Sequence, residues 1–219
     1  MTRLFTQMGV GAWCALALAA TGCTFLAPQP DHARFYVLTS AGAGASGAAT
    51  LASGANPGQL TVGVGPVTLP AYLDRAQVVT RVSANRLELS GQNRWAEPLK
   101  SSFTRILAQN LSAMLGTQQV VVYPWLRPPR IDYQVKVDVE RFEANTNGTA
   151  DLVARWEIRD PSSDAVLASN TTNLSDPIDS KNEGAQAQSL SRALAAFSRE
   201  IASAIERIAA SRNSTKSST

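Results

Sequence analysis

The sequence predicts an α+β fold in which a mixed, mostly antiparallel sheet carries two amphipathic helices packed on one face. Three observations lead there. Several short segments alternate apolar and polar residues with the period of two that a half-buried strand requires. Two longer segments place apolar residues at spacings of three and four, the pattern of a helix with one buried stripe. Their order along the chain is strands, helix, strands, helix, which assembles into a sheet covered by both helices.

Phe35-Tyr36-Val37-Leu38 is the first strand-like run. Residues 40–58 are almost pure Ala, Gly and Ser. Such a segment buries too little apolar surface to offset its ordering entropy, so it is expected to be a flexible loop inside one domain spanning 35–210. Leu60, Val62 and Val64 then alternate with Thr61 and Gly63, and Pro66 and Pro70 are expected to end that strand. The runs from Gln77 to Val82 and from Arg86 to Leu89 read as a hairpin-like pair joined by Ser83-Ala84-Asn85.

The first helix starts near Glu97-Pro98 and aligns Leu99, Phe103, Ile106, Leu107, Leu111 and Met114 on one side, with Gly116 as its stop. After the short run Val120-Val121-Val122-Tyr123, Val135, Val137 and Val139 alternate until the pattern slips to Phe142, which predicts a bulge near Arg141. Asn145-Thr146-Asn147-Gly148 makes a turn into a strand carrying Leu152, Ala154, Trp156 and Ile158. Ser180-Lys181-Asn182-Glu183 has the capping-box pattern and opens a helix with Leu190, Leu194, Phe197, Ile201, Ile205 and Ile208 on one face. Residues 211–219 are polar and read as a disordered tail.

The N-terminus has a separate purpose. Residues 1–22 combine Arg3, an apolar middle and a small-residue exit at Thr21-Gly22, the layout of a secretory signal. Ala20-Thr21-Gly22-Cys23 resembles the lipobox of bacterial lipoproteins, with Ala20 where Leu is usual, and Cys23 is then the lipidation site. An ordinary signal whose cleavage site abuts a cysteine is the alternative. Cys14 lies within the removed segment, so the mature chain keeps one thiol and cannot form an internal disulfide. Acylation with chains such as palmitate removes that thiol and anchors firmly, at about 0.8 kcal/mol per buried methylene. Thr24 stands where Asp would signal inner-membrane retention, which points to the periplasmic face of the outer membrane. Residues 23–34 form a tether with Pro28 and Pro30 that reaches at most about 36 Å.

Charge excludes some partners. The formal charge is +3, and loss of Arg3 leaves 19 basic against 17 acidic residues, spread singly rather than in runs. Nucleic acid is not suggested, and membrane attachment by charge alone is not either. His32 is the only histidine and sits in the tether, so a Ser/His/Asp triad or a histidine-held metal is not expected. The chain reads as neither an enzyme nor a cofactor or metal protein. Recognition by its surface is what remains. In Pro70-Ala71-Tyr72-Leu73-Asp74-Arg75, the residues Tyr72, Leu73 and Arg75 either meet a partner or cap the core. In Tyr123-Pro124-Trp125-Leu126-Arg127-Pro128-Pro129-Arg130, Trp125 and Arg127 either face a partner or fold back on the domain.

Together these residues resemble the ABC-type transport auxiliary lipoproteins of the paraquat-inducible PqiC type. Phe35-Tyr36-Val37-Leu38, Val62-Gly63-Val64-Gly65-Pro66-Val67, the Tyr72-Leu73-Asp74-Arg75 turn and Arg94-Trp95-Ala96-Glu97-Pro98-Leu99 carry the resemblance, which covers roughly residues 34–209. The resemblance implies a subunit of an intermembrane lipid transport system. It would dock an MCE-type periplasmic transport protein beneath the outer membrane, as a ring of several copies around the conduit. An activator of a cell-wall synthase and a periplasmic lipid carrier are the alternatives.

Overall fold

The computed structural model describes residues 32–42, 60–125, 130–179 and 184–217. The signal segment, Cys23, the tether up to Asp31, most of the Ala/Gly/Ser run, Arg127 and the capping-box residues 180–183 lie outside the described residues.

Eight strands form one sheet: β1 (Arg34–Tyr36), β2 (Val62–Thr68), β3 (Gln77–Ser83), β4 (Arg86–Trp95), β5 (Val120–Val122), β6 (Tyr133–Asn145), β7 (Thr149–Arg159) and β8 (Val166–Pro177). Among the described residues two α-helices, α1 (Leu99–Leu115) and α2 (Ala185–Ser217), accompany the sheet. The two longest ladders, β6 with β7 and β7 with β8, are antiparallel, as is β3 with β4. The short ladders of β1 with β4 and β5 with β2 are parallel. One edge of β6 pairs with β7 throughout. Its other edge is shared: β2 runs parallel to it from Tyr133 to Asp138, and β3 takes over at Ala144 and Asn145. The sheet therefore forks at β6, with β5 ending one branch and β1 the other.

Alternation puts Val62 and Val64 of β2, Val135, Val137 and Val139 of β6, and Leu152, Ala154, Trp156 and Ile158 of β7 in the core. Phe103 of α1, Phe142 of β6 and Phe197 of α2 meet at its centre. The Phe103 and Phe142 rings are edge-to-face at 5.1 Å, and Phe197 lies 6.3 Å from Phe103. Burying each ring contributes about 1.5–3 kcal/mol, and each ring pair roughly a further 0.5–1.5. The opposite sheet face is charged, and its cross-strand neighbours are complementary: Lys136 with Glu157, Asp138 with Arg155. Buried Asn110 of α1 donates to Ser198 of α2 and accepts from the Ala41 amide at 2.8 Å, while the Thr39 amide donates to Ser191. The segment leaving β1 is thus fastened to both helices before the undescribed run begins.

The expected bulge appears as a register shift between Val139 and Arg141, and the expected turn closes with Gly148 at φ +82°. Gly116 stops α1 in the left-handed conformation. Several boundaries differ from expectation. Pro66 does not end β2, because the ladder to β6 shifts register between Val64 and Val67; a proline there interrupts no regular pairing, and Gln134 Nε2 donates to the Gly65 carbonyl at 2.8 Å. Pro98 caps α1 from just outside its first turn. β4 runs on to Trp95 through Ser90–Asn93, where the Asn93 amide donates to Ser90 Oγ. α2 continues to Ser217 instead of giving way to a tail at Ser211, with Arg212 paired to Asp160 at 2.7 Å and lying over the Tyr133 ring.

β8 is the element that the apolar pattern hides. Its helix-facing residues include Asn170, Thr172 and Asp176, and α2 answers them with polar groups rather than apolar ones. Glu200 accepts from Asn170 and Thr172, Arg192 pairs with Asp176, and the Trp156 indole donates to Thr172 at 3.0 Å.

Candidate docking site

The two segments rich in aromatic residues, proline and arginine sit in different surroundings. β2 leads into a single 3-10 turn, Ala71–Leu73, which crosses the fork toward β3. Leu73 is 2% exposed and belongs to the core. Tyr72 is half-buried, and its hydroxyl donates to Glu143 Oε2 at 2.9 Å. The Glu143 side chain is fully buried; it also accepts from Arg81 Nε at 2.6 Å and from the Phe142 amide at 2.9 Å. Burial, reinforced by the Glu143 charge, pushes the Tyr72 phenol up to about 12, so the phenol stays a donor at neutral pH. Burial pulls the Arg81 guanidinium down, but its hydrogen bond to Glu143 and that charge hold it above its ordinary value. Asp151 extends the network through Arg141 at 3.0 Å and Asn145 at 2.8 Å. Burial would raise Asp151, yet hydrogen bonds from Ser175, Asn145 and Thr149 outweigh it and keep the carboxyl below its ordinary value. Of this turn's three singled-out residues only Arg75 is exposed, beside Trp95, Glu97 and Pro98 in a shallow cleft of about 320 Å³.

The second segment is open. β5 is only three residues long and, among the described residues, pairs with β2 alone. Val122 is 43% exposed and Tyr123 is 49% exposed, although the Tyr123 amide still donates to the Val64 carbonyl at 2.9 Å. Trp125 is half-buried and sets its ring edge-to-face on Tyr123 at 5.2 Å. The floor under these rings is glycine. A Cβ at Gly63 would lie 3.0 Å from Ile131 and 3.2 Å from Trp125; one at Gly65, where φ is +120°, would lie 2.7 Å from the Tyr123 Cβ. Glycine is what lets the aromatic pair lie on the strand. Composition alone did not mark Tyr123, Gly63 and Gly65 as parts of a site. The available signal was the alternation of glycine with valine in β2, opposite a run ending in aromatic residues.

This arrangement offers an aromatic ledge with rigid backing, suited to burying an apolar partner surface. Among the described residues no group of three His, Cys, Asp or Glu side chains could hold a metal ion, and no helix is long and apolar enough to cross a membrane. A cleft of about 310 Å³ opens on the helix side between Tyr36, Val78, Trp95, Ile178 and the start of α2.

Two solved structures show the same fold. An uncharacterised protein of known crystal structure is 21% identical, with a TM-score of 0.61 over 78% of this chain and 97% of its own. Protein XCC0632 from Xanthomonas campestris, of the DUF330 family, is 17% identical, with a TM-score of 0.62 over 84% of this chain and 99% of its own. No curated protein matches. The model of the ABC-type transport auxiliary lipoprotein component matches residues 36–202, which takes in β2 to β8, α1 and about half of α2. The chain belongs to that family, the PqiC-type transport auxiliary lipoproteins.

Proposed function

We propose that this protein is an outer-membrane lipoprotein subunit of an MCE-type intermembrane lipid transport system, and that it docks the periplasmic conduit through the Tyr123–Trp125 ledge. Cys23 carries the lipid, and the tether holds the domain near the leaflet. One observation carries the reading: a partly exposed aromatic pair lies on a glycine floor at a three-residue edge strand. Aromatic anchors with rigid backing lose little conformational entropy on binding and dominate interface energies. Arg75 and Arg127 are the cationic contacts of the same reading, and Tyr72 supports the turn from within. Several copies form a ring around the conduit. Family membership supports the transport role, and nothing on the ledge resembles reaction chemistry.

Gentle crosslinking in the native envelope, followed by purification on this protein, tests the reading. Recovery of an MCE-type protein is the expected result. Its consistent absence, with the lipoprotein intact, contradicts it.

A further inference from the structure

The branch of the sheet that ends in β1 carries apolar residues that the docking site does not use. Phe35 is 63% exposed, Val37 49% and Leu89 48%. Strand alternation sends Phe35 and Val37 to one side while Tyr36 packs against the core and Leu38 enters it. Register extends that side across the branch. Phe35 is opposite Arg94; Arg94 is opposite Gln77, and Leu89 is opposite Val79 two residues further along β3. Directly paired residues share a face, so Phe35 and Arg94 lie on the side away from the helices; the β3–β4 ladder shifts register between Gln77 and Val79, and Leu89, beyond that shift, is exposed next along the branch. The helix side of the same strands is marked by Tyr36, Val78 and Trp95 near Ala185, and by Gln186 reaching Thr80.

We propose that this face is a membrane-contact surface, with Phe35 and Val37 inserted among the lipid headgroups of the leaflet that holds Cys23. The inference rests on reading Cys23 as lipidated. Chain length selects the occupant. Eleven residues separate Cys23 from Phe35, so these side chains lie within about 36 Å of the anchor however the tether is arranged. The other exposed large apolar residues among those described, Val122, Tyr123 and Val166, lie far along the chain in other strands. A tethered patch meets its own leaflet at high effective concentration. Aromatic and aliphatic side chains beside arginines suit the headgroup region, where rings are favoured and guanidinium groups meet phosphates. Arg94, paired opposite Phe35, is the arginine of that face, and Glu88, beside Leu89, is paired with Arg86. Clustered exposed apolar residues on a soluble surface mark contact sites.

Lipidation consumes the only mature thiol, so Phe35→Cys, Val37→Cys, Leu89→Cys and, as a reference, Tyr123→Cys can each carry one nitroxide on the full mature chain. The chain is reconstituted by its own anchor into vesicles of phosphatidylethanolamine and phosphatidylglycerol, and its intact mass is recorded. Labels at 35 and 37 are expected to relax several-fold more with oxygen than with an aqueous nickel complex, the label at 89 less so, and the label at 123 in the opposite sense. Equal nickel access at 35, 37 and 123 in a lipidated chain would overturn the proposal while leaving the anchor intact. Labels at 35 and 37 shielded from nickel before vesicles are added would overturn it in favour of a protein occupant, a second copy or the transport partner. A mass without diacylglycerol would overturn both the anchor and the contact that depends on it.

Discussion

The turn at residues 70–75 and the ledge at Tyr123–Trp125 both set aromatic residues beside proline, yet one is fastened from within and the other faces solvent. The difference comes from residues distant in sequence. Tyr72 finds a buried carboxylate about seventy positions away, at Glu143, and its ring lies against Arg81. Tyr123 and Trp125 lie over Gly65 and Gly63, with Ile131 beside them. An aromatic residue beside proline and arginine is therefore an ambiguous sign of a partner surface; what the rest of the sheet places opposite it decides.

The largest effect that breaks this contrast falls on the fastened side. Glu143→Ala leaves Arg81 and the Phe142 amide without their shared acceptor in a dry site. Urea denaturation should show a loss of about 3–5 kcal/mol, the usual cost of breaking a buried ion pair. On the open side, Trp125→Ala should weaken partner binding by at least about 2 kcal/mol, roughly thirtyfold in Kd, while the fold loses only about 1 kcal/mol. Titration against the purified partner, with a thermal melt of the same sample, separates the two. Gly65→Ala sits between the regions. It places a side chain at φ +120° against Tyr123, and should cost about 1–2 kcal/mol in stability as well as displacing the ledge, visible as a change in near-ultraviolet circular dichroism.

The smallest effect is pH-dependent. Asp151 has a folded pKa below its ordinary value, so its contribution is fully present above about pH 3.9 and is lost as pH falls through the folded pKa. Asp151→Asn should lower stability at neutral pH by about 1 kcal/mol and flatten the acid limb of stability against pH. An unchanged acid limb would count against its hydrogen-bonded role.

Much of the fold was legible because burial is periodic. Val135, Val137 and Val139, the slip to Phe142 and the glycine stop at 116 each follow from one local rule. β8 was not, because its helix-facing residues are satisfied by Glu200 and Arg192 of α2, a pairing of polar groups that leaves no apolar rhythm. The reach of β2 through Pro66 was hidden for a related reason: a shift of register in a neighbouring ladder excuses the missing donor. Within the site, Trp125 was legible as a candidate, whereas the burial of Leu73 and the fastening of Tyr72 depend on partners that only the folded sheet brings close. Gly63 and Gly65 read as small strand residues until the rings above them are seen.

The most direct test of the central claim places a photo-crosslinking amino acid at Tyr123 on the ledge and, in parallel, at Arg86 on the exposed β3–β4 hairpin, in cells that carry the native transport system. A crosslink to an MCE-type protein from position 123 and none from position 86 is the predicted result. Crosslinks from 86 alone, or from neither position while the complex still co-purifies, would contradict the docking site.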